Sequence, residues 1–245
     1  MKAHHLLLLL MITLAVAVSA EPKLTLTHLR GGVYIVQDGF YSQENSAVYV
    51  GDDHVTVIGA TWTPETAAIL VGEIGKITPK PVLEVINTNY HPDRAGGNSY
   101  FKRIGARIIA TSKTVEMMRT GWDSVVTATR ASFPSFPLLP LELPDAVLPP
   151  DFAVQNGAVQ AVYTGESHTP DGIFVYFPQE KVLYGSCILK ERLGNLDYAN
   201  LSEYPKTLQR LQALKLGFTT IIAGHFSPIH GPELIDRYLT LLAER

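Results

Sequence analysis

The chain has 245 residues, of which 46% are hydrophobic and 18% are charged, and its formal net charge is −3. This composition supplies enough apolar surface for a sizeable core, which excludes an intrinsically disordered chain. A mildly acidic chain does not offer the basic surface that phosphate groups require, so we expect no nucleic acid partner. Cys187 is the single cysteine, which excludes an internal disulfide.

The first twenty residues have the features of a secretory signal peptide. Lys2 is followed by an apolar run, Leu6–Val18, and then by small residues before the polar Glu21. The apolar run is too short for a membrane-spanning helix, and an uncleaved anchor is the alternative interpretation. We expect cleavage after Ala20, which removes Lys2 and changes the net charge from −3 to −4. The mature chain is then expected in the periplasm, without membrane attachment.

Short runs rich in valine, isoleucine, tyrosine and threonine predict the strands of the first half. They lie at Leu24–Leu29, Val33–Gln37, Asn45–Val50, Val55–Ile58, Val82–Ile86 and Arg107–Ala110. Proline in a first turn and apolar periodicity predict helices at Glu65–Ile77, from about Ser99, and at Lys113–Ala128. Two segments are predicted to be irregular, the polar Asn87–Asn98 and the proline-rich Phe133–Pro150.

The second half repeats this order of elements. Asn156-Gly157 predicts a hairpin between Phe152–Gln155 and Ala158–Tyr163. A second hairpin, a helix, a strand and a final helix are predicted at Ile173–Phe177 with Lys181–Tyr184, Pro205–Lys215, Thr219–Ala223 and Pro232–Ala243. The whole order predicts an α+β sandwich of two mixed sheets packed face to face, with helices on both outer faces. We expect residues 21–245 to form one domain.

Residue types that commonly bind metals or act in catalysis follow directly on four of the predicted strands. They are found in the segment Asn89–Asp93 and at His168, Cys187 and His225. Because alternate residues of an extended chain point the same way, Asn89, His91 and Asp93 are expected to converge. Loops at one edge of a sandwich can bring such distant residues together, so we expect the functional site there.

Asp93, Cys187 and His225 together make a plausible three-ligand zinc site, because thiolate and imidazole suit zinc and a carboxylate completes the shell. Three protein ligands leave one tetrahedral position open, which is typical of catalytic zinc. A bound metal would also account for a lone thiol in an oxidising compartment. Taken singly, each residue has an ordinary explanation as a turn residue, a buried thiol or a capping histidine. A zinc finger is excluded because no cysteine pair exists.

The motifs resemble those of the metallo-β-lactamase fold superfamily, whose general loop pattern is His-x-His-x-Asp. The matching residues are Asn89-x-His91-x-Asp93, Gly165 with His168, Cys187 and Gly224-His225. Asparagine in place of the first histidine resembles subclass B2, the mono-zinc carbapenemases. Further stretches similar to that subclass are Cys187–Lys190, Gly194-Asn195, Gly59–Thr66, Asp171–Pro178 and His230–Asp236. Pro92, Ser186 and Phe226 depart from its usual threonine, asparagine and aspartate.

The resemblance implies an αββα sandwich with its active site along one edge. The implied reaction is hydrolysis of the β-lactam amide, with carbapenems as the preferred class and water as the nucleophile. One zinc ion per chain would be held by Asp93, Cys187 and His225, and would stabilise the leaving nitrogen as a Lewis acid. A weak, inhibitory second zinc site would use His91 and His168. The small β-lactam is the implied partner, and a monomer is expected.

The same resemblance implies roles for the remaining site residues. The general base would be His91 or Asp93, and His91 is preferred because Asp93 already binds the metal. His168 would line the site and donate to an oxyanion. Residues implied in substrate binding are Lys190, for the substrate carboxylate, with Asn195, Trp62, Val48 and Asn89.

Two alternative functions follow from the same residues. A thioesterase of the glyoxalase II kind would need a two-metal His-x-His-x-Asp-His pattern, in which Asn89 and Arg94 occupy two of the required positions. An exported zinc-binding protein with little activity is the other alternative, because Ser186 and Phe226 depart from the pattern beside two proposed ligands.

Overall fold

The computed structural model describes residues 23–245, and the predicted signal peptide lies outside them. Seven strands form the first sheet in the order β1 to β7. They are β1 (Leu24–Arg30), β2 (Val33–Asp38), β3 (Glu44–Val50), β4 (Val55–Ile58), β5 (Val82–Ile86), β6 (Arg107–Thr111) and β7 (Ala146–Leu148). β1 to β4 pair antiparallel, and β4 to β7 pair parallel.

The second sheet has six strands. They are β8 (Ala153–Val154), β9 (Val159–Val162), β10 (Phe174–Phe177), β11 (Val182–Tyr184), β12 (Thr220–Ile222) and β13 (Ile229–His230). Their spatial order is β13-β12-β11-β10-β9-β8, and only the β11–β12 pair is parallel. Both sheets are therefore mixed.

Six α-helices and one short 3-10 helix, Gln155–Gly157, complete the described part of the chain. The α-helices are α1 (Pro64–Ile77), α2 (Pro92–Ala95), α3 (Asn98–Arg103), α4 (Ser112–Ser132), α5 (Tyr204–Ala213) and α6 (Leu234–Ala243). The Thr63 side chain caps α1 by accepting from the backbone of Thr66, and Thr111 caps α4 in the same way through Thr114. None of the helices within residues 23–245 has the length and apolar character needed to cross a membrane.

The two sheets pack face to face around a shared apolar core, which includes Ile35 and Ile86 from one sheet and Val175 and Phe177 from the other. A second core lies between the first sheet and helices α1 and α3, and a third lies between the second sheet and helices α5 and α6. The predicted sandwich with helices on both outer faces is thus confirmed.

The predicted loop Asn87–Asn98 contains helix α2, which the sequence analysis missed. Pro92 occupies its first position, where a fixed φ and a missing N–H suit a helix. The backbone carbonyl of His91 accepts from the N–H groups of Arg94 and Ala95 at 2.9 and 3.1 Å. The chain is therefore helical after His91 and not extended. The expectation that Asn89, His91 and Asp93 converge by strand alternation is wrong.

The predicted connector Phe133–Pro150 is also more regular than expected. Its residues Ala146–Leu148 form β7 at the edge of the first sheet, parallel to β6. Phe136 and Leu139 are buried in a fourth apolar cluster beside the site. Proline is tolerated at edges and in irregular chain, so proline content alone did not exclude a short edge strand. The two predicted hairpins, β8–β9 and β10–β11, are confirmed.

Candidate metal centre

Three chain segments bring the proposed ligands together at one edge of the sandwich. Asp93 lies on α2, seven residues beyond the end of β5, whereas Cys187 and His225 each lie three residues beyond the ends of β11 and β12. The Sγ of Cys187 is 3.1 Å from Oδ2 of Asp93 and 3.6 Å from Nε2 of His225. Oδ2 of Asp93 and Nε2 of His225 are 3.2 Å apart. The sequence-predicted ligand set is therefore one spatial cluster.

The spacing of these atoms fits zinc. Zinc bonds of about 2.0 Å to nitrogen or oxygen and about 2.3 Å to sulfur require ligand atoms about 3.3 to 3.5 Å apart in a tetrahedron. The three observed separations, 3.1, 3.2 and 3.6 Å, lie close to that range. One thiol, one imidazole and one carboxylate also form a donor set that zinc accepts. Within residues 23–245, no other cluster of metal-ligating side chains of this kind is found.

Gly224 allows the two ligand loops of the second sheet to meet. A Cβ atom at position 224 would lie 1.7 Å from the backbone carbonyl oxygen of Ser186, so any side chain would force the loops apart. The backbone N–H of Gly224 also donates to the carbonyl of Leu189 at 2.9 Å. The glycine before His225 is thus required by the close approach of the Cys187 segment.

A fully buried arginine lies behind all three ligands. Arg94 donates from Nε to the sulfur of Cys187 at 3.2 Å, and its Nη2 is 3.3 Å from Oδ2 of Asp93 and 3.4 Å from Nε2 of His225. Nη2 also donates to the carbonyl of Gly224 at 2.8 Å. Nη1 forms an ion pair with Glu44, and both side chains are completely buried. Arg94 thus contacts each ligand, and its guanidinium pairs with the carboxyl groups of both Glu44 and Asp93.

The environment of each ligand sets its protonation. Burial alone would raise the pKa of Asp93, but the guanidinium of Arg94 holds it well below its usual value. Nδ1 of His225 lies 3.0 Å from the carbonyl of Gln43, to which it donates. That contact fixes the tautomer with a lone pair on Nε2, the atom that faces Asp93 and Cys187.

Cys187 is a thiol in the protein alone. Burial raises its pKa to about 12 in spite of the nearby Arg94, and the thiol donates to Asp93. A bound divalent cation would reverse this preference, because a coordinating thiol is deprotonated outright. Cys187 is also shielded from solvent, with 1% of its surface exposed. This burial protects the single thiol from oxidation and from disulfide exchange.

His91 and His168 lie beside the cluster with their rings nearly perpendicular and their centroids 5.3 Å apart. Burial lowers the pKa of His91 to about 4, so its ring is neutral at pH 7, and its buried Nε2 has no hydrogen-bond partner in the part of the chain that the structure describes. Burial, together with Lys190, holds the pKa of His168 well below its usual value. Nδ1 of His168 is 3.5 Å from Nζ of Lys190, whose own pKa burial lowers to about 8.

A cavity of about 370 Å³ opens in front of the cluster. Its polar side is formed by the groups that the sequence predicted, namely His91, Asp93, His168, Lys190, Asn195 and His225. Its other walls are formed mainly by apolar and aromatic residues, among them Trp62, Val125, Phe133, Tyr198 and Phe226. Apolar walls with a few convergent polar groups are typical of a small-molecule site.

Two of the residues that were expected to bind substrate, Val48 and Asn89, do not line the cavity. Val48 is completely buried in the core between the first sheet and helices α1 and α3, because its side chain points to the helix-covered face. Asn89 is also completely buried and does not line the cavity. Its Oδ1 accepts from the backbone N–H of His91 at 2.9 Å, so the side chain supports the loop rather than a substrate.

Two features of the site were not predicted from the sequence. They are the ion pair between Arg94 and Glu44 and the contribution of α4 to the cavity. Val125, Thr129 and Ser132 line the cavity at helical spacing, and that periodicity was visible in the sequence. No pattern in the sequence pointed to Glu44, because its partner is fifty residues away along the chain.

The fold and the site together define a sandwich of two mixed sheets with a candidate metal centre at one edge. Residues 40–225, most of the chain, match the family described as "Metallo-beta-lactamase superfamily". The chain belongs to that superfamily, which uses zinc.

Among curated proteins, the chain is 31% identical over 185 residues to "Metallo-beta-lactamase IND-1" of Chryseobacterium indologenes, covering 74% of this chain and 71% of that protein. It is 28% identical over 213 residues to "Metallo-beta-lactamase type 2" of Elizabethkingia meningoseptica, covering 83% and 79%. Among solved structures, a metallo-beta-lactamase from Pontibacter korlensis superposes with a TM-score of 0.75 at 24% identity, covering 91% of this chain and 100% of that one. The last similarity shows the shared fold.

Proposed function

We propose that this protein hydrolyses the amide bond of β-lactam antibiotics, with carbapenems as its preferred substrates and one zinc ion per chain. The observation that carries the proposal is the cluster of Asp93, Cys187 and His225, which lies at the base of a cavity that also presents a buried lysine. The names of the two curated relatives support β-lactam hydrolysis. The carbapenem preference rests on the resemblance of the motifs to subclass B2.

The chain's own residues supply the binding and proton-transfer groups. Lys190 is 2% exposed and forms no ion pair with any of residues 23–245, so its ammonium is available to the substrate carboxylate. His168 lies beside that ammonium and is placed to donate to a developing oxyanion. Trp62 and Asn195 line the same cavity. The zinc ion, when bound, would supply Lewis-acid stabilisation of the leaving nitrogen.

We assign the general base to His91. Its low pKa keeps the ring unprotonated near pH 7, and its Nε2, although buried, has no hydrogen-bond partner within residues 23–245 and would be the atom that accepts a proton from water. Asp93 is the alternative base, but its Oδ2 faces the thiol of Cys187 and Nε2 of His225 within the ligand cluster. His91 is therefore the freer of the two groups.

Asn89 supports the proposal that one zinc ion is sufficient. It is completely buried, lies outside the cavity lining and accepts from the His91 backbone, so it is not placed to complete a second site with His91 and His168. A second zinc ion would then have two imidazole ligands from this chain, and we propose that it binds weakly and inhibits. Export to the periplasm and a monomeric state remain predictions from the sequence.

The test is imipenem hydrolysis by purified protein before and after removal of metal by a chelator, with the metal content counted by mass spectrometry. We expect activity that chelation abolishes and that zinc restores. Zinc binding without hydrolysis would instead favour the exported zinc-binding protein with little activity. Hydrolysis of thioesters without hydrolysis of imipenem would favour the glyoxalase-like alternative.

A further inference from the structure

Phe226, the residue after the ligand His225, adopts an unusual backbone conformation. Its φ of 66° lies in the left-handed region, which is unfavourable for a bulky side chain and is occupied mostly by glycine, asparagine and aspartate. A residue keeps such a conformation only when the surrounding structure imposes it. The contacts of Phe226 therefore show what this conformation achieves.

The backbone of Phe226 is held on one side by the first sheet. Its carbonyl oxygen accepts from the side-chain amides of Gln43 and Asn45, each at 3.0 Å. Its ring forms part of the wall of the cavity. The two hydrogen bonds thus hold the backbone that carries the ring.

That ring packs against Arg192. The guanidinium carbon of Arg192 lies 4.1 Å from the centroid of the Phe226 ring, within the range of a cation–π contact. Within residues 23–245, Arg192 has no acidic partner at ion-pair distance, so the ring is its main contact. A second contact joins the same two segments, since the backbone N–H of Ser227 donates to the Glu191 carboxylate at 3.3 Å.

The segment that begins at Glu191 leads directly into the substrate wall. It follows Lys190 and contains Gly194, Asn195, Asp197 and Tyr198, which line the same cavity as Phe226. Its first residues are therefore attached to the loop that carries the metal ligand His225, whereas its later residues face the substrate position. Residues 191–198 contain no helix or strand, so side-chain contacts have a large part in holding them.

We propose that the contact between Phe226 and Arg192 acts as a clamp that positions residues 191–198 for substrate binding. Phe226 is thus a positioning residue: it acts on the substrate through Asn195 and Lys190 rather than on the metal. This inference rests on the proposed β-lactam hydrolysis. It requires that loss of the clamp weakens substrate binding while leaving the metal centre unchanged.

The test compares zinc-loaded wild type with Phe226→Leu, Arg192→Leu and the double variant. Arg103→Leu is the matched control, because Arg103 lies over the Tyr100 ring at 4.9 Å on α3, and neither residue lines the cavity. The measurements are KM and kcat for imipenem, hydrogen exchange of residues 191–198, and zinc affinity by competition with a chelator.

We expect each clamp variant to raise KM roughly two- to fivefold, the factor that corresponds to an exposed cation–π contact. Hydrogen exchange of residues 191–198 should become faster by a similar factor, while kcat and zinc affinity stay close to wild type. The double variant should be no worse than either single variant, because one shared contact is lost. Arg103→Leu should change none of these values.

Unchanged exchange and unchanged KM in Arg192→Leu would overturn the clamp. Arg192 is exposed, so this variant decides the question even if Phe226→Leu does not fold. A similar loss of zinc affinity in the clamp variants would also overturn it, since it would place the effect on the metal centre. If zinc-loaded wild type does not hydrolyse imipenem, the proposed function fails, and the exchange data alone still decide whether the clamp exists.

Discussion

The side chain of Arg94 donates from Nε to the sulfur of Cys187 across 3.2 Å, and this bond joins the two sheets at the metal centre. Arg94 follows the fifth strand of the first sheet, whereas Cys187 follows the fourth strand of the second. The same guanidinium contacts Asp93 and His225. A single buried cation thus sets the relative positions of ligands that come from three separate chain segments.

Arg94→Met should damage both stability and metal binding. It leaves the Glu44 carboxyl buried without its partner, and removal of one member of a buried pair costs about 3–5 kcal/mol of unfolding free energy. Zinc affinity should fall because all three ligands lose a shared contact. Urea unfolding and chelator competition measure the two effects.

The control for this prediction is Arg119→Met, at an exposed position on α4, which should leave both quantities unchanged. The double variant Arg94→Met with Glu44→Met should recover part of the lost stability, since the Glu44 carboxyl no longer lies buried without its partner. The account of the pair would be contradicted if Arg94→Met unfolded at the wild-type urea concentration.

Cys187→Ser should abolish tight zinc binding. The substitution replaces the only sulfur of the cluster with a hydroxyl, which is a poor zinc ligand at neutral pH. Zinc content after dialysis against a weak chelator is the measurement. A Cys187→Ser protein that retained one tightly bound zinc ion would show that the ligand assignment is wrong.

Asp171 should make stability depend on pH. The carboxyl is completely buried, and burial raises its pKa to about 6, whereas an unfolded chain ionises it near pH 4. Between these values the folded state binds more protons than the unfolded state, so the stability that this group contributes is lost as pH rises from about 4 to 6. Asp171→Asn removes the titration, so the stability of the variant relative to wild type should rise by up to about 3 kcal/mol over that range.

This prediction is measured by urea unfolding of metal-free protein at acidic and neutral pH. Asp123→Asn, at an exposed position on α4, is the control and should follow wild type at both values. A constant difference between Asp171→Asn and wild type would mean that Asp171 does not titrate in this window.

Carbapenems should be hydrolysed far better than penicillins. The expectation comes from the subclass that the motifs resemble, and kcat/KM for imipenem and benzylpenicillin is the measurement. Ser186 is the departure beside Cys187, but it is completely buried, and its hydroxyl lies 2.8 Å from that of Thr88. Ser186 does not line the cavity, so it should not by itself change the substrate range. Similar values of kcat/KM for the two compounds would contradict the prediction.

The sequence was sufficient to predict the sandwich, both hairpins and the set of Asp93, Cys187 and His225, because local patterns and chemically distinctive residues carry that information. It failed where long-range packing decides the outcome. The strand that contains Val48 was predicted correctly. Its side chain lies on the face of the sheet that packs against helices α1 and α3, and local alternation does not tell which face of a strand the helices will cover. Helix α2 was not predicted because four residues are too few to show a helical period. The ion pair between Arg94 and Glu44 was not predicted because the two residues are far apart along the chain.

The number of zinc ions required for activity tests the central claim most directly. Imipenem hydrolysis is followed during a zinc titration of metal-free protein, with the metal content of each sample determined by mass spectrometry. Asn89 is engaged by the backbone of His91, so a second ion would have His91 and His168 alone from this chain and would occupy the proposed base. Activity should therefore peak at one zinc ion per chain and fall as a second binds. Activity that peaks only at two zinc ions per chain would contradict this account.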